Sequence, residues 1–414
     1  VKQVNKTYIL PINQQELAKQ LSRQSGRIYS KVVSTIFKLK QNKNIWLSKN
    51  GMEKLIKLYA SEFRLHSQTK QGIVQQYYNN LKSFFNAKEN QENAKPPYKT
   101  RKYNKVIYKR SAIKLKDNGV LRLSNGRKGK AIKVKAPSLT KKPKYAELIY
   151  HHNEDKYKLH ITVEVKNKKI DYDNDKVLAI DLGQKHPMVT YNNQTKESII
   201  YNGGRLNSFI RFRNKELAKL QEKMSRCQKY SNRWKKLNRA KKKLLSKSKN
   251  KIMDVLKKYA SHLISFCLKR EISTIVIGDL KGIREKINFG TKDNQKMHQW
   301  LFGQLIDIIK YQAKAIGIKV KFIDESYTSQ TCPQCGYQHK PSDRNFDCPN
   351  CNVSFHRDFV GAFNIYKKYT RGSLDKSSRL EGVLTSSYGV KYDSNSISCL
   401  TNWNTSPFGQ GIPA

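Results

Sequence analysis

Four cysteines in two close pairs carry the clearest chemistry in this chain: Cys332 and Cys335 in "CPQC", and Cys348 and Cys351 in "CPNC", with twelve residues between the pairs. Two such knuckles can present four thiolates tetrahedrally to one zinc ion, with Zn–S bonds near ~2.3 Å. Protein sulfur fills all four positions, so that ion would hold a fold and leave no place for a reacting water. A redox dithiol would need only one pair. His339 and His356 lie close by in the sequence and are surplus to a complete four-cysteine set. Cys227, Cys267 and Cys399 stand apart and read as ordinary thiols.

Three carboxylates form the second group, each ending or following a predicted strand: Asp181 in "AIDLG", Glu325 in "FIDES" and Asp358 in "HRDFVGAFNI". Singly, each also reads as a turn or helix-capping residue. A further apolar strand, "IVIGDL" (275–280), carries Gly278 and Asp279 near its end.

The elements that must position these groups follow from pattern. "NKTYILP" reads as a strand ended by Pro11, with Asn13 placed to cap a helix beginning at Gln14 and Gln15. Helical patterning continues to about residue 88, and an Asn-, Lys- and Pro-rich stretch (86–100) interrupts it. Short strands follow, with Asn125-Gly126 and "HNEDK" as hairpin turns. Composition changes around "KKIDYDND", after which "KVLAIDLG" opens a second domain. Residues 206–270 are basic and helical, and Trp234 among repeated Lys and Arg suits a groove along a duplex. The strand "TIVIGDL", a helix over 296–315 and the strand "IKVKFIDE" imply a parallel crossover unit. The Ser-, Gly- and Asn-rich stretch 370–414 shows no sustained period and is expected to be flexible.

Charge narrows the partners. Lys and Arg outnumber Asp and Glu by 82 to 31, a formal net charge of +51 over 414 residues. Basic residues run from Lys2 to Arg379, so a phosphate-rich path along the molecule is the expectation. A membrane is not expected, since no run of about 18 apolar residues occurs. A cytoplasmic setting fits the absence of a signal-peptide pattern and of a disulfide framework.

The pieces "AIDLG", "TIVIGDLKG", "YTSQTCPQCG", "FDCPNC" and "HRDFVGAFNI", in this order, resemble TnpB, the transposon-encoded RNA-guided nucleases related to type V CRISPR effectors. The resemblance covers residues 1 to about 369. It implies an α/β multidomain chain: a wedge β-barrel (1–12 and 89–170), a helical recognition insertion (13–88), an RNase H-like RuvC nuclease domain (171–327 and 354–369), a zinc ribbon (328–353) and the tail. Gly278 departs from the family, which mostly carries its second catalytic glutamate there. Strand side chains alternate between faces, so Asp279 should point away from Asp181, whereas Glu325 on the neighbouring strand, about ~4.8 Å across, can reach the same metals. "VIGDLKGIRE" and "DESYTSQTC" resemble more closely a branch associated with serine-recombinase transposons and shared with eukaryotic Fanzor proteins, in which the glutamate is relocated in this way.

The resemblance therefore implies hydrolysis of a DNA phosphodiester with two Mg²⁺ ions held by Asp181, Glu325 and Asp358, and one structural Zn²⁺ on Cys332, Cys335, Cys348 and Cys351. A guide RNA from the transposon end would select a double-stranded DNA target beside a short flanking motif, in a prokaryotic, nucleoid-associated setting. The rival readings are a nuclease-dead RNA-guided DNA binder acting as a transcriptional repressor, with Glu325 incidental, and a zinc-ribbon RNA-binding structural protein, which would need no acidic residues at strand ends.

Overall fold

The computed structural model describes residues 3–91, 93–98, 102–127, 129–137, 139–166, 175–280, 301–342, 344–374, 386–393 and 396–400. The chain separates into two compact units, 2–166 and 167–414. The composition change at "KKIDYDND" falls largely on 167–174, and "KGIRE" of the closer branch match on 281–285; both lie outside the described residues.

In the first unit, β1 (Gln3–Pro11) leads into the helices α1 (Gln15–Lys43), α2 (Lys49–Tyr59) and α3 (Ser67–Lys88). Asn13 is not the cap of α1. Gln14 holds that position, and its Oε1 instead accepts from the Lys133 amide. Six short strands follow: β2 (Val106–Lys109), β3 (Ile113–Leu115), β4 (Val120–Leu123), β5 (Ile132–Lys135), β6 (Tyr145–His151) and β7 (Lys156–Lys166). They form two antiparallel sheets, in the orders β1-β7-β6-β2 and β3-β4-β5. Both sequence-marked turns close antiparallel strand pairs, β4 with β5 and β6 with β7, and Gly126 adopts φ +88°, which suits glycine. Helices and strands share one core: Ile28, Val32 and Ile73 pack in the same cluster as Tyr108, Leu121 and Leu159. The helical stretch 13–88 thus buries its apolar stripe on the strands that flank it in sequence.

The second unit is built on a seven-stranded sheet. Its strands are β8 (Val177–Asp181), β9 (Met188–Asn192), β10 (Glu197–Tyr201), β11 (Thr274–Asp279), β12 (Lys319–Asp324), β15 (Ser386–Asp393) and β16 (Ser396–Leu400), ordered β12-β11-β8-β9-β10-β15-β16. β8, β11 and β12 run parallel; β9 is antiparallel to both β8 and β10. Between β13 (Asn345–Asp347) and β14 (Ser354–His356), a small antiparallel pair, lies the second cysteine knuckle.

Central strands buried on both faces read as continuous apolar runs, and "VLAI" and "TIVI" do so. One face, with Leu178, Ile180, Ile275 and Ile277, is covered by α5 (Asn232–Lys269) and α6 (Phe302–Ile316). The other, with Val177, Ala179 and Val276, is covered by α7 (Arg357–Arg371). α4 (Gly204–Ser225) packs against α5, so the stretch expected to be basic and helical forms a helical hairpin. α6 begins at Phe302, and the 296–300 part of the expected helix is outside the described residues.

The expectation of a flexible tail is corrected over 386–393 and 396–400, where β15 pairs in parallel with β10 and β16 is antiparallel to β15. Tyr388, Val390 and Tyr392 alternate in a Ser- and Gly-rich context. Val390 is fully buried, and the Tyr392 hydroxyl donates to Asp254 Oδ2 on α5 at 2.7 Å. Val390→Asp would put a carboxylate in that core and should unpair β15. Hydrogen exchange is expected to show amides 386–393 losing protection while those of β8 and β11 keep theirs; unprotected 386–393 amides in the wild type would reject this pairing.

Candidate active site

Asp181 ends β8, Gly278 stands next to last on β11, and Glu325 follows the last residue of β12. The registers Ile277↔Ile180 and Gly278↔Ile323 bring these three positions to the same end of adjacent parallel strands. Parity sorts their faces. Asp181 and Gly278 share the α7 side with Ala179 and Val276, as Glu325 does with Ile323, whereas Asp279 has the parity of Ile275 and Ile277 beneath α5 and α6.

A side chain at 278 would have to displace the Glu325 carboxylate from its present position. A Cβ built on Gly278 would stand 2.6 Å from Glu325 Oε2, 3.2 Å from Glu325 Cβ and 3.1 Å from Ile365 Cδ1. The Glu325 carboxylate therefore fills the space in front of the glycine.

One stripe of α7 arranges the rest. Asp358, Gly361, Ile365 and Lys368 recur at spacings of three, four and three, one face of a helix. Asp358 lies in the first turn. A Cβ at Gly361 would meet Asp181 Cγ at 2.9 Å, so glycine is what lets the helix approach that carboxyl. Lys368 Nζ donates to Asp324 Oδ2 at 2.8 Å and to the carbonyls of Asp324 (3.2 Å) and Ser326 (2.8 Å), fixing the chain on both sides of Glu325. Next to this stripe, Asn364 Nδ2 donates to the carbonyls of Thr328 and Thr331, both at 2.7 Å, and Lys367 Nζ to that of Pro333 at 3.1 Å. The same helix thus ties down the first cysteine knuckle.

The four sulfurs of Cys332, Cys335, Cys348 and Cys351 lie within 4.8 Å of one another, with Cys332–Cys351 at 3.7 Å and Cys335–Cys348 at 3.5 Å. Tetrahedral zinc with ~2.3 Å bonds sets its sulfurs about 3.8 Å apart, so the donors fit the ion. Neither His339 nor His356 belongs to this group.

Electrostatics divides the carboxylates. Burial, and after it the charges of Asp358 and Glu325, hold the Asp181 carboxyl well above the usual range, and the opposing pull of Arg357 does not overcome them. Burial, then Asp324 and Asp279, push Glu325 up to about 7. Burial works against the charged form of Asp358 too, but the His186 hydrogen bond, with His356 and Arg344, overcomes it and lowers the pKa. His186 Nδ1 donates to Asp358 Oδ2 at 2.8 Å, and Arg344 Nη1 to both Asp358 oxygens at 3.0 and 3.2 Å. Asp181 and Glu325 are thus left under-neutralised, and oxygen donors of this kind suit a hard ion such as Mg²⁺. The three carboxylates are not among the groups whose donor atoms all lie within 4.8 Å of one another.

His186, Arg344 and Gly361 escaped the sequence reading. His186 sits in the turn after β8, closed by the Gly183 amide donating to the His186 carbonyl at 3.1 Å. Its place five residues after Asp181 was a usable signal, as was Gly361 one turn beyond Asp358. Nothing local marks Arg344.

Known proteins match this part of the chain. A family model described as "Cas12f1-like, TNB domain" covers residues 302–365, and one described as "Probable transposase" covers 160–284. The TnpB-like protein MJ0751 of Methanocaldococcus jannaschii is 33% identical over 195 residues, 46% of this chain and 68% of that protein. The CRISPR-associated endodeoxyribonuclease Cas12f1 of Syntrophomonas palmitatica is 29% identical over 189 residues, 43% of this chain but only 36% of that protein. A cryo-EM structure of a Cas12f1–sgRNA–target DNA complex shares the fold, with TM-score 0.59 at 16% identity over 85% of this chain and 82% of that one. That likeness is one of fold, mixed α/β. The chain belongs to the TnpB-like family.

The raised pKa of Glu325 makes a signed prediction for the Mg²⁺-free protein. Between its ordinary value, 4.5, and about 7 the folded state keeps a proton that the unfolded chain has lost. The group's contribution to stability is therefore full below 4.5 and is lost as pH rises through 7. Glu325→Gln, which cannot ionise, should melt at a higher temperature than wild type at about pH 8 and at nearly the same temperature at about pH 4.5. A variant less stable than wild type at the higher pH would contradict the burial of this carboxylate.

Proposed function

We propose that this protein is an RNA-guided DNA endonuclease with a two-Mg²⁺ RuvC-type site formed by Asp181, Glu325 and Asp358. The observation that carries the reading is the Glu325 carboxylate in the space that Gly278 leaves open, on the same face and at the same strand ends as Asp181. Decay of a catalytic site gives no reason for a replacement carboxylate to fill the vacated volume. The sheet order, with the antiparallel run β8-β9-β10 flanked beyond β8 by the parallel strands β11 and β12, supports an RNase H-like nuclease domain. We assign that domain to 171–327 and 354–369, the zinc ribbon to 328–353, and the wedge and recognition regions to the two sheets and three helices of the first unit. Placement in the Fanzor-like branch is part of the same proposal, carried by Glu325.

Bound Mg²⁺ would lower the pKa of an attacking water and stabilise the leaving oxygen of the scissile phosphodiester. The chain's part is to hold three carboxylates in place. The Asp324–Lys368 contact steadies Glu325, the Gly361 approach confines Asp181, and His186 orients Asp358. Arg344, nearly half exposed beside Asp358, can meet a phosphate as well as a carboxylate. Guide RNA and double-stranded DNA as partners rest on the Cas12f1 relatives and on the +51 charge. The α4–α5 hairpin offers a basic surface for them, with the Tyr230 and Trp234 rings 5.4 Å apart and tilted at 59° near its tip.

Sequencing the RNA that copurifies with the protein tests guidance: one structured species is expected, and a random transcript mixture would contradict it. That complex, given Mg²⁺ and a matched duplex with its flanking motif, should cleave it. Asp181→Ala should lose roughly 10²-fold or more of the rate while retaining guided binding. Guided binding without cleavage by the wild type would favour the repressor reading.

A further inference from the structure

Asp358 faces a second donor group that carboxylate-only chemistry does not use. His186, His356 and Asp358 are all buried, and one ligand-capable atom of each lies within 4.8 Å of the other two. The two imidazole rings stand 5.3 Å apart between centroids. His356 is only 7% exposed, and its Nδ1 is buried with no hydrogen-bond partner. Buried polar atoms nearly always have a partner, so an orphaned ring nitrogen beside two other ligand-type side chains points to a missing one.

We propose that His186, His356 and Asp358 form a second metal site, separate from the four cysteines, that takes a transition ion of the zinc class. Two imidazoles and one carboxylate are the donors such ions favour, whereas Mg²⁺ prefers oxygen alone. A tetrahedral ion with ~2.1 Å bonds holds its donors about 3.4 Å apart. The present separations therefore require the side chains to close by little more than about 1 Å. The supports come from three places: the turn after β8 brings His186, the last residue of β14 is His356, and the first turn of α7 carries Asp358. Arg344 opposes the ion electrostatically. Its side chain is 46% exposed, however, and has solvent into which to withdraw when Asp358 turns to a metal.

The site shares Asp358 with the proposed Mg²⁺ centre, so a zinc-class ion there would exclude productive Mg²⁺ binding. That consequence rests on the proposed nuclease function; the binding itself does not. Metal content is accordingly measured on the full chain without RNA or DNA. Protein whose ribbon zinc is retained is titrated with Co²⁺, dialysed and analysed for both metals, with the visible spectrum recorded. Wild type is expected to hold one zinc and one cobalt, the cobalt with weak bands of a nitrogen and oxygen site and without strong sulfur-to-metal absorption. His356→Ala should keep the zinc and lose the cobalt. His186→Asn, which preserves a hydrogen bond to Asp358, should do the same and decides the matter if His356→Ala misfolds. No cobalt in the wild type, which would mean that water partners His356 Nδ1, overturns the site, as does cobalt retained in folded His186→Asn.

Discussion

A side chain at position 278 and the carboxylate of Glu325 cannot occupy the same volume, and the architecture of the second unit follows from which one is present. With glycine at 278, the neighbouring strand turns its terminal glutamate into the gap, 2.6 Å from where a Cβ would stand. The strand ladder supplies the direction, because Gly278 faces Ile323 and Glu325 shares the parity of Ile323. α7 then closes the arrangement with a single stripe of residues, each suited to its neighbour: an aspartate, a glycine against Asp181, an isoleucine against Gly278 and a lysine on the turn that carries Glu325. Because Asn364 and Lys367 of the same helix bind the first knuckle, the cysteine group and the carboxylates are held by one rigid element.

Like charges in this space are costly. Burial raises both Asp181 and Glu325 first, and neighbouring carboxylates add to it: Asp358 and Glu325 at Asp181, Asp324 and Asp279 at Glu325. The chain neutralises Asp358 with His186 and Arg344 and leaves the other two raised. A protein selected only for stability would replace such groups with apolar ones. Asp181 and Glu325 stand at strand ends that also carry the paired Asp279 and Asp324, a concentration of carboxylates that the proposed cation site would use.

Much of this was legible in the sequence because it depends on short-range rules. Strand alternation alone separates Asp279 from Asp181 and admits Glu325. The spacing of Cys332, Cys335, Cys348 and Cys351 fixes a four-sulfur group, and strand–helix–strand order fixes the parallel pairing of β11 and β12. What escaped depends on residues far apart in the chain. His186 meets Asp358 across 172 positions, and no local pattern announces such a meeting. Gln14, not Asn13, holds the cap position of α1, and its side chain engages a strand 119 residues away. The alternation of Tyr388, Val390 and Tyr392 was present, but Ser and Gly around it hid a strand whose partner, β10, lies far earlier in the chain.

The central claim is that the carboxylate needed near Asp181 has moved from one strand to the next, and exchanging the two positions tests it most directly. Cleavage of a matched DNA duplex in Mg²⁺ is measured for the RNA-loaded wild type, for Glu325→Gly, and for the double variant Gly278→Glu with Glu325→Gly. The account predicts that Glu325→Gly binds target without cutting it and that the double variant regains measurable cleavage, since the carboxylate introduced at position 278 enters the volume that Glu325 has vacated. Cleavage by Glu325→Gly at the wild-type rate would contradict it.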